Sequence, residues 1–467
     1  MTLDTQPQRP DHRPVTSRPE HERRVRRLVE EYRDLPADRP VRLAKRTSNL
    51  FRSRTDAPPS LDAGGLDRVL SVDAEARTAD VQGMTTYEDL VDATLPYALM
   101  PLVVPQLKTI TLGGAVTGLG IESSSFRNGC PHESVLELEV LTGAGEIVTA
   151  TAGNEHSGLF RGFPNSYGSL GYATRLTIEL EPVKPYVHLR HVRFGDFDTF
   201  CTALAQECAS GEHDFVDGTV FAPDQMFLTL AAFTDDAPYT SDYTGMDIYY
   251  KSIRHRRSDY LSVRDYLWRW DTDWFWCSRA FGVQRPAVRR LWPKRWLRSD
   301  AYWKIVAFEK RHHPMARIDA LRGRPAREDV VQDVEIPVDR TPAFLRYFTT
   351  EVGISPVWVC PLRQRDPEVD WALYPLDPAV LYVNVGFWST VALPDGIAEG
   401  ATEGHFNRRI EAEVARLGGH KSLYSTAYYD EEEFWASYDS TGYVRLKKEY
   451  DPHDRLLDLY AKTVQRR

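Results

Sequence analysis

A bend rich in glycine and serine is the part of this sequence best suited to bind a ligand. It runs from Met100 to Gly129 and reads MPLVVPQLKTITLGGAVTGLGIESSSFRNG. Glycine lets the main chain approach a bulky group, because no Cβ intervenes and positive φ is accessible. Peptide N–H groups and hydroxyls in such a bend can satisfy a diphosphate. The pattern therefore indicates either a nucleotide-binding loop or a bend that only allows tight strand packing.

Two common phosphate-binding motifs are absent. The sequence has neither the Gly-x-Gly-x-x-Gly of a Rossmann turn nor the Gly-Lys-Ser/Thr of a Walker loop.

Its five cysteines have no Cys-x-x-Cys spacing, and its histidines have no ligand spacing, so we infer no metal site and expect reduced thiols.

Two clusters offer a proton donor. Glu122 lies among small residues of the bend, where an apolar pocket would favour its protonated form. Its carboxylate can equally hold the loop by accepting backbone hydrogen bonds. Tyr428 and Tyr429 combine an apolar ring with a hydroxyl donor, although aromatic residues this close to a C-terminus also pack in cores.

Alternating and helical patterns surround these residues. We predict a helix over Glu20–Tyr32, a hairpin of Arg68–Val72 with Arg77–Gln82, and a helix over Thr86–Leu95 capped by its first threonine. After a strand over Glu133–Thr142, a second set of elements begins near Tyr186. That set contains strands at 188–194, 219–233, 335–338, 357–360 and 381–387, a helix at 197–208 and a helical tail at 425–459. The predicted class is α+β, with a mixed sheet in its second part.

Six further stretches follow the bend in a recognisable order. They are Leu159-Phe160, Gly168–Gly171, Lys184–Val187, Val331–Asp333, Pro356–Pro361 and Tyr428–Trp435. With the bend, they resemble the vanillyl-alcohol-oxidase-type (PCMH-type) FAD-binding oxidoreductases. The similarity is greatest to the Δ24-sterol reductase branch and its actinobacterial relatives, and it extends from about residue 40 to the C-terminus.

The resemblance implies a domain order. A disordered segment at 1–19 precedes an FAD-binding domain at 20–185, with subdomains at 20–98 and 99–185. A cap or substrate domain follows at 186–424, and the segment 425–467 returns to the flavin.

The resemblance also implies which residues hold FAD. Thr47, Ser48 and Asn49 occupy the first diphosphate loop, and no histidine lies between His21 and His132, so the link should be non-covalent. His132 can touch the flavin edge or, with Glu133, cap the next strand. The remaining implied FAD contacts are Pro105, Gln106, Thr109, Thr111, Leu112, Gly113, Gly114, Gly118, Ile121, Ser123, Ser124, Arg127, Val135 and Gly171.

A segment rich in tryptophan and arginine spans Lys251–Trp303. It holds seven of the eleven tryptophans, and thirteen basic residues face four acidic ones between 251 and 298. These residue types suit a membrane interface or an acyl-phospholipid. They suit a protein interface equally well. The third alternative is that the tryptophans are buried in the cap while the arginines are solvated.

Composition limits partners and location. The net charge of −9 argues against nucleic acid. The first twenty residues contain no apolar segment, so we expect neither a signal peptide nor a spanning helix there. We expect a cytoplasmic location, with any membrane contact peripheral.

The resemblance implies a function. We expect FAD-dependent, NADPH- or NADH-driven reduction of an isolated C=C bond in a lipid. An arginine-rich, lysine-poor composition is typical of GC-rich bacteria, where sterols are uncommon. This favours a 10-methylene fatty acyl chain, made by a SAM-dependent methyltransferase partner, over a sterol side chain. The alternatives are an FAD-dependent alcohol or sugar oxidase or dehydrogenase, and a non-catalytic subunit that docks lipid or the methyltransferase.

Overall fold

The fold has two main sheets and a set of mostly short helices. A computed structural model describes residues 16–45, 51–52, 59–312, 325–394 and 404–466. The described strands are β1 Arg42–Ala44, β2 Ser60–Asp62, β3 Val69–Asp73, β4 Thr78–Gln82, β5 Leu99–Pro101, β6 Val135–Leu141, β7 Ile147–Ala150, β8 Tyr172–Pro182, β9 Tyr186–Phe194, β10 Phe215–Ala222, β11 Gln225–Thr234, β12 Ser258–Ser262, β13 Arg327–Pro337, β14 Val357–Leu362, β15 Tyr382–Ala392 and β16 His420–Lys421. The described α-helices are α1 Arg18–Asp34, α2 Tyr87–Thr94, α3 Leu112–Gly118, α4 Ser125–Asn128, α5 Ser157–Gly162, α6 Phe197–Ser210, α7 Tyr249–Ser252, α8 Val263–Leu267, α9 Pro286–Leu291, α10 Ser299–His312, α11 Thr341–Glu351, α12 His405–Arg416, α13 Glu431–Ser437, α14 Ser440–Tyr450 and α15 Leu459–Thr463.

The N-terminal elements form as their patterns predict. Helix α1 buries residues spaced by one helical turn, among them Val25, Leu28 and Tyr32, while its charged residues face outward. Thr86 caps α2, since its hydroxyl accepts the N–H of Asp89 at 3.2 Å. Of the segment predicted to be disordered, residues 1–15 lie outside the described residues.

The first main sheet has six strands. Its order is β3-β4-β8-β6-β7, with β5 paired to the far end of β8, and every pairing is antiparallel. The predicted hairpin is the β3–β4 pair. Strands β1 and β2, of three residues each, form a separate parallel pair.

The second main sheet has eight strands in the order β12-β9-β11-β10-β14-β15-β13-β16. The predicted α+β class with a second sheet domain is confirmed, although this sheet is antiparallel in every described pairing rather than mixed. Side chains alternate along each strand. On β13, Val330 and Val334 pack with α6, α11 and α12 on one face, and Asp333 and Glu335 point to the opposite face.

The C-terminal tail is helical in three pieces rather than one. Asp430, Asp439 and Asp458 each cap a new helix through a side-chain oxygen, so the tail turns at each of them. Among the described residues, no helix combines the length and the apolar character that crossing a bilayer requires.

Candidate active site

A cavity lies between the two main sheets, and residues that are distant in the sequence line it together. The glycine-rich bend, β13–β15 of the second sheet, the tryptophan-rich segment and the C-terminal tail all contribute to its lining. The described lining residues are Val41, Arg42, Leu43, Lys45, Phe51, Met84, Pro105, Gln106, Leu107, Thr109, Ile110, Thr111, Gly113, Gly114, Ala115, Thr117, Gly118, Leu119, Gly120, Ile121, Tyr167, Gly168, Gly171, Tyr172, Ala173, Trp274, Phe275, Asp333, Trp358, Asn384, Trp388, Ser422, Tyr424, Leu457 and Lys462.

Nine residues predicted to hold a cofactor line this cavity together. They are Pro105, Gln106, Thr109, Thr111, Gly113, Gly114, Gly118, Ile121 and Gly171. The bend is also tightly packed, since a Cβ at Gly113 would lie 2.7 Å from the carbonyl oxygen of Gly83. The bend therefore lines a cavity and also packs closely against the neighbouring main chain. Thr47, Ser48 and Asn49 lie outside the described residues.

Six other predicted residues do not line the cavity, and most of them have structural contacts. The Arg127 guanidinium forms a two-pronged ion pair with the Glu181 carboxylate, at 2.7 and 3.0 Å. The Ser124 hydroxyl donates to the Leu102 carbonyl at 2.9 Å. The others are Leu112, Ser123, His132 and Val135, all of them buried.

His132 and Glu133 have structural surroundings. The His132 ring packs edge-on against Trp371, with centroids 4.5 Å apart, and burial lowers its pKa to about 3, so it is neutral. Glu133 accepts the backbone N–H of Cys130 at 2.9 Å and thereby caps the short 3₁₀ turn that leads into β6.

Glu122 is part of a buried charge cluster outside the cavity lining. Arg269 Nη2 donates to Glu122 Oε1 at 2.9 Å and to Asp217 Oδ2 at 2.8 Å, and Ser123 donates to Glu122 Oε1 at 2.6 Å. Burial raises the Glu122 pKa, and the neighbouring Arg269 charge opposes that rise. The cluster joins the bend, strand β10 and the tryptophan-rich segment.

A carboxyl group and a tyrosine do line the cavity. Tyr424 is hydrogen-bonded to Asp333, and Trp388 Nε1 donates to the Tyr424 hydroxyl at 2.9 Å. Asn384 Nδ2 donates to Asp333 Oδ1 at 3.2 Å. Burial raises the Asp333 pKa to about 7, although the bonds from Asn384 and Tyr424 oppose that rise. Asp333 can therefore give or take a proton near neutral pH.

Tyr428 and Tyr429 lie close by in sequence but are not among the lining residues. The Tyr428 ring lies under two guanidinium groups, with Arg408 5.1 Å and Arg466 5.4 Å from its centroid. Tyr429 packs against Phe434 and Tyr438. The tyrosine of this segment that lines the cavity is Tyr424.

The sequence is similar to those of known proteins. The family described as FAD binding domain matches residues 14–151. A Delta(24)-sterol reductase from Mus musculus is 27% identical over 415 residues, covering 84% of this chain and 75% of that protein. The chain is an FAD-binding oxidoreductase, distantly related to the Delta(24)-sterol reductases.

Two other relatives differ in coverage. The Delta(24)-sterol reductase of Arabidopsis thaliana is 24% identical over 448 residues, or 87% of this chain and 77% of that protein. Cytokinin dehydrogenase 6 of Oryza sativa subsp. japonica is 30% identical over 168 residues, but these cover only 35% of this chain and 31% of that protein. Similarity over most of the chain therefore points to the reductases.

The cavity residues fit FAD. Arg42 Nε is buried without a hydrogen-bond partner among the described residues, which suits an anionic ligand. Lys45 Nζ stands beside the first turn of α3, 3.8 Å from where a Cβ on Gly114 would lie. These cations and the hydroxyls of Thr109 and Thr111 can hold a diphosphate. Flat aromatic faces, from Trp274, Phe275, Trp358 and Trp388, suit a fused ring system.

The sequence patterns missed the polar groups of the second sheet. Asp333 was part of a recognised stretch but had no assigned role, while Asn384 and Tyr424 were not singled out. One signal was available, since Asp333 and Glu335 alternate with the apolar Val334 and Ile336 and must share a face. The partners could not be foreseen, because β13 pairs with β15 across about fifty residues of chain.

Proposed function

We propose that this chain reduces an isolated C=C bond in a lipid, with FAD as cofactor and NADPH or NADH as electron donor. The observation that carries the proposal is the Asp333–Tyr424 pair in the wall of an aromatic cavity. An unactivated alkene has no carbonyl to polarise, so its reduction needs a proton donor beside the hydride donor. The relatives that match most of the chain are named as sterol reductases, which supports the same chemistry.

The protein's own residues supply the proton and the surroundings of the reaction. FAD, when bound, supplies the hydride. The protonated Asp333 carboxyl passes a proton through the Tyr424 hydroxyl to one alkene carbon, and Tyr424 regains it from Asp333. The neighbouring carbon becomes cationic before hydride arrives. Rings such as Trp274 and Trp388 stabilise a desolvated cation by about 0.5–2 kcal/mol each.

Binding of the cofactor is proposed to be non-covalent. The described lining contains neither histidine nor cysteine, and this supports a non-covalent link to the flavin. Arg42, Lys45 and the Thr109–Gly114 stretch hold the diphosphate in this proposal. Thr47, Ser48 and Asn49 remain proposed FAD contacts on the resemblance alone.

The preferred substrate is the methylene group of a 10-methylene fatty acyl chain, which becomes a methyl branch. The apolar and aromatic lining supports a lipid, and the composition supports a bacterial branched fatty acid over a sterol. A SAM-dependent methyltransferase would supply this substrate and is the proposed partner. We place the protein in the cytoplasm, with peripheral membrane contact.

Anaerobic half-reactions test the proposal. Purified protein with FAD should lose its yellow colour on mixing with NADPH or NADH, and a 10-methylene acyl lipid should then restore the colour while gaining two hydrogens. The Asp333→Asn variant should bleach as the wild type does but fail to reoxidise with the lipid. Bleaching by alcohols or sugars instead of nicotinamide would assign the chain to oxidase or dehydrogenase chemistry. Protein that does not bind FAD would leave only the docking-subunit alternative.

A further inference from the structure

Large apolar side chains are exposed at the end of α9 and along α10. Leu291 is 85% exposed, Phe308 59%, Trp296 48% and Ile305 36%. The Trp292 ring holds these elements together, since its centroid lies 6.2 Å from that of Trp296 and 6.4 Å from that of Tyr302. We call Leu291, Trp296, Ile305, Phe308 and the exposed cations between them the α9–α10 face. A concentration of exposed apolar groups normally marks an interaction site.

Cations surround these apolar groups. Residues 281–308 contain seven basic side chains and one acidic one, Asp300. Asp300 is already ion-paired with Arg298 at 2.8 Å. The exposed cations are Arg285, Arg290, Lys294, Arg295 and Lys304. In a chain of net charge −9, this face is complementary to an anionic surface rather than typical of the protein's own exterior.

The residue types match a phospholipid interface in particular. Tryptophan rings lie at headgroup level in membrane proteins, with basic side chains reaching the phosphates. The Arg295 guanidinium lies 5.9 Å from the Trp296 ring centroid, so a ring and a cation project together. Four other tryptophans of the segment behave differently, because Trp268, Trp270, Trp274 and Trp276 are buried. The core alternative therefore accounts for those four and leaves the α9–α10 face to be explained.

The α9–α10 face is connected to the cavity by aromatic contacts. Trp303 of α10 packs edge-on against Phe51, with centroids 5.0 Å apart, and against Trp274 at 6.2 Å. Phe51 and Trp274 both line the cavity. An acyl chain leaving a bilayer at this face would meet apolar rings up to the cavity wall.

We propose that the α9–α10 face docks on an anionic phospholipid bilayer. Docking requires only the exposed groups of the face and does not depend on the redox chemistry. Its use, which is the passage of an acyl chain past Trp303 into the cavity, rests on the proposed function.

Vesicle sedimentation tests the docking without any turnover. Oxidised protein is mixed with vesicles of saturated-chain phosphatidylglycerol and phosphatidylcholine, or of phosphatidylcholine alone, so no lipid can be reduced. The wild type should sediment with the anionic vesicles, less so as salt rises, and little with the neutral ones. Leu291→Glu/Phe308→Glu should lower the bound fraction at least tenfold. The matched control Leu136→Glu/Val444→Glu adds equal charge at positions 45% and 46% exposed elsewhere and should bind as the wild type does.

Several outcomes would overturn the proposal. The proposal is wrong if the wild type does not bind anionic vesicles. It is equally wrong if both double variants lose the same amount of binding, or if Leu291→Glu/Phe308→Glu binds as well as the wild type. If the face instead captured a purified methyltransferase and no vesicle, it would be a protein interface. Thermal unfolding of each variant checks folding. Reduction of a detergent-dispersed short-chain alkene should be unchanged in Leu291→Glu/Phe308→Glu, so loss of docking is distinguishable from failure of the proposed chemistry.

Discussion

Gly386 stands directly opposite Asp333 in the antiparallel register of β15 and β13. A Cβ at Gly386 would lie 2.3 Å from Asp333 Oδ1 and 2.7 Å from the Trp388 ring. The missing side chain therefore gives the Asp333 carboxyl its place in the cavity wall. The position of the proposed proton donor depends on a residue that cannot itself react.

Gly386→Ala should displace the Asp333 carboxyl and slow lipid reduction by about tenfold or more, since small misplacements of reacting groups are costly. Flavin reduction by nicotinamide should be nearly unchanged. Gly195→Ala is the matched control, because nothing lies within 4 Å of a Cβ there. Stopped-flow measurement of both half-reactions separates the effects. Equal rates in the two variants would remove Asp333 from the mechanism.

Lipid reduction should fall as pH rises through about 7, where the raised pKa of Asp333 makes it lose its proton. In Asp333→Asn, this decrease in rate with rising pH should disappear. The rate at pH 6 should fall by about 10²- to 10⁴-fold, the usual contribution of a general acid. The pH profile of reoxidation by lipid measures both. If the rate of the variant still decreases near pH 7, the titration belongs to another group.

The same raised pKa has a consequence for stability. Unfolded Asp333 should titrate near about 3.9, whereas the folded pKa is about 7. Between these values the folded state holds a proton that the unfolded state has lost, so this group lowers the unfolding free energy as pH rises through that window. Urea unfolding should show that the unfolding free energy decreases less between pH 5 and pH 8 in Asp333→Asn than in the wild type. Identical losses would show that Asp333 ionises normally.

Tyr424→Phe should keep the packing of the ring and remove the hydroxyl that bonds to Asp333. We expect slower lipid reduction by about 10²-fold, with FAD content unchanged. Tyr428→Phe is the control within the same segment, because Tyr428 does not line the described cavity, and its rate should stay near that of the wild type. The reverse order of effects would restore Tyr428 as the proton donor.

Arg269→Met should destabilise the fold by about 3–5 kcal/mol, because it leaves Glu122 and Asp217 buried without their cation. Arg264→Met is the surface control. Its pair with Asp92 is 45% and 38% exposed and should contribute about 1 kcal/mol or less. Glu122→Gln should alter stability but leave the pH profile of reduction unchanged. Chemical unfolding measures the free energies of unfolding. If the decrease in reduction rate with rising pH disappeared in Glu122→Gln, Glu122 would be part of the mechanism.

The cavity-lining half of the bend was predictable because its chemistry is local. Glycines at 113, 114 and 118 all lie in the short helix α3, which Thr111 caps. The β3–β4 hairpin and α2 were predictable for the same reason. Asp333, Asn384 and Tyr424 meet only after strands distant in sequence have paired, and one sequence contains no record of that pairing. The burial of the four tryptophans could not be predicted for the same reason, because it depends on the elements that pack against them.

Arg269 joins the bend to the second sheet through buried ion pairs. These ion pairs limit how a substrate can enter the cavity. Separating the two sheets would leave buried charges without their partners, and this cost disfavours a clamshell motion. The proposed lipid substrate would therefore have to enter past rings such as Phe51 and Trp303 while the two sheets stay together.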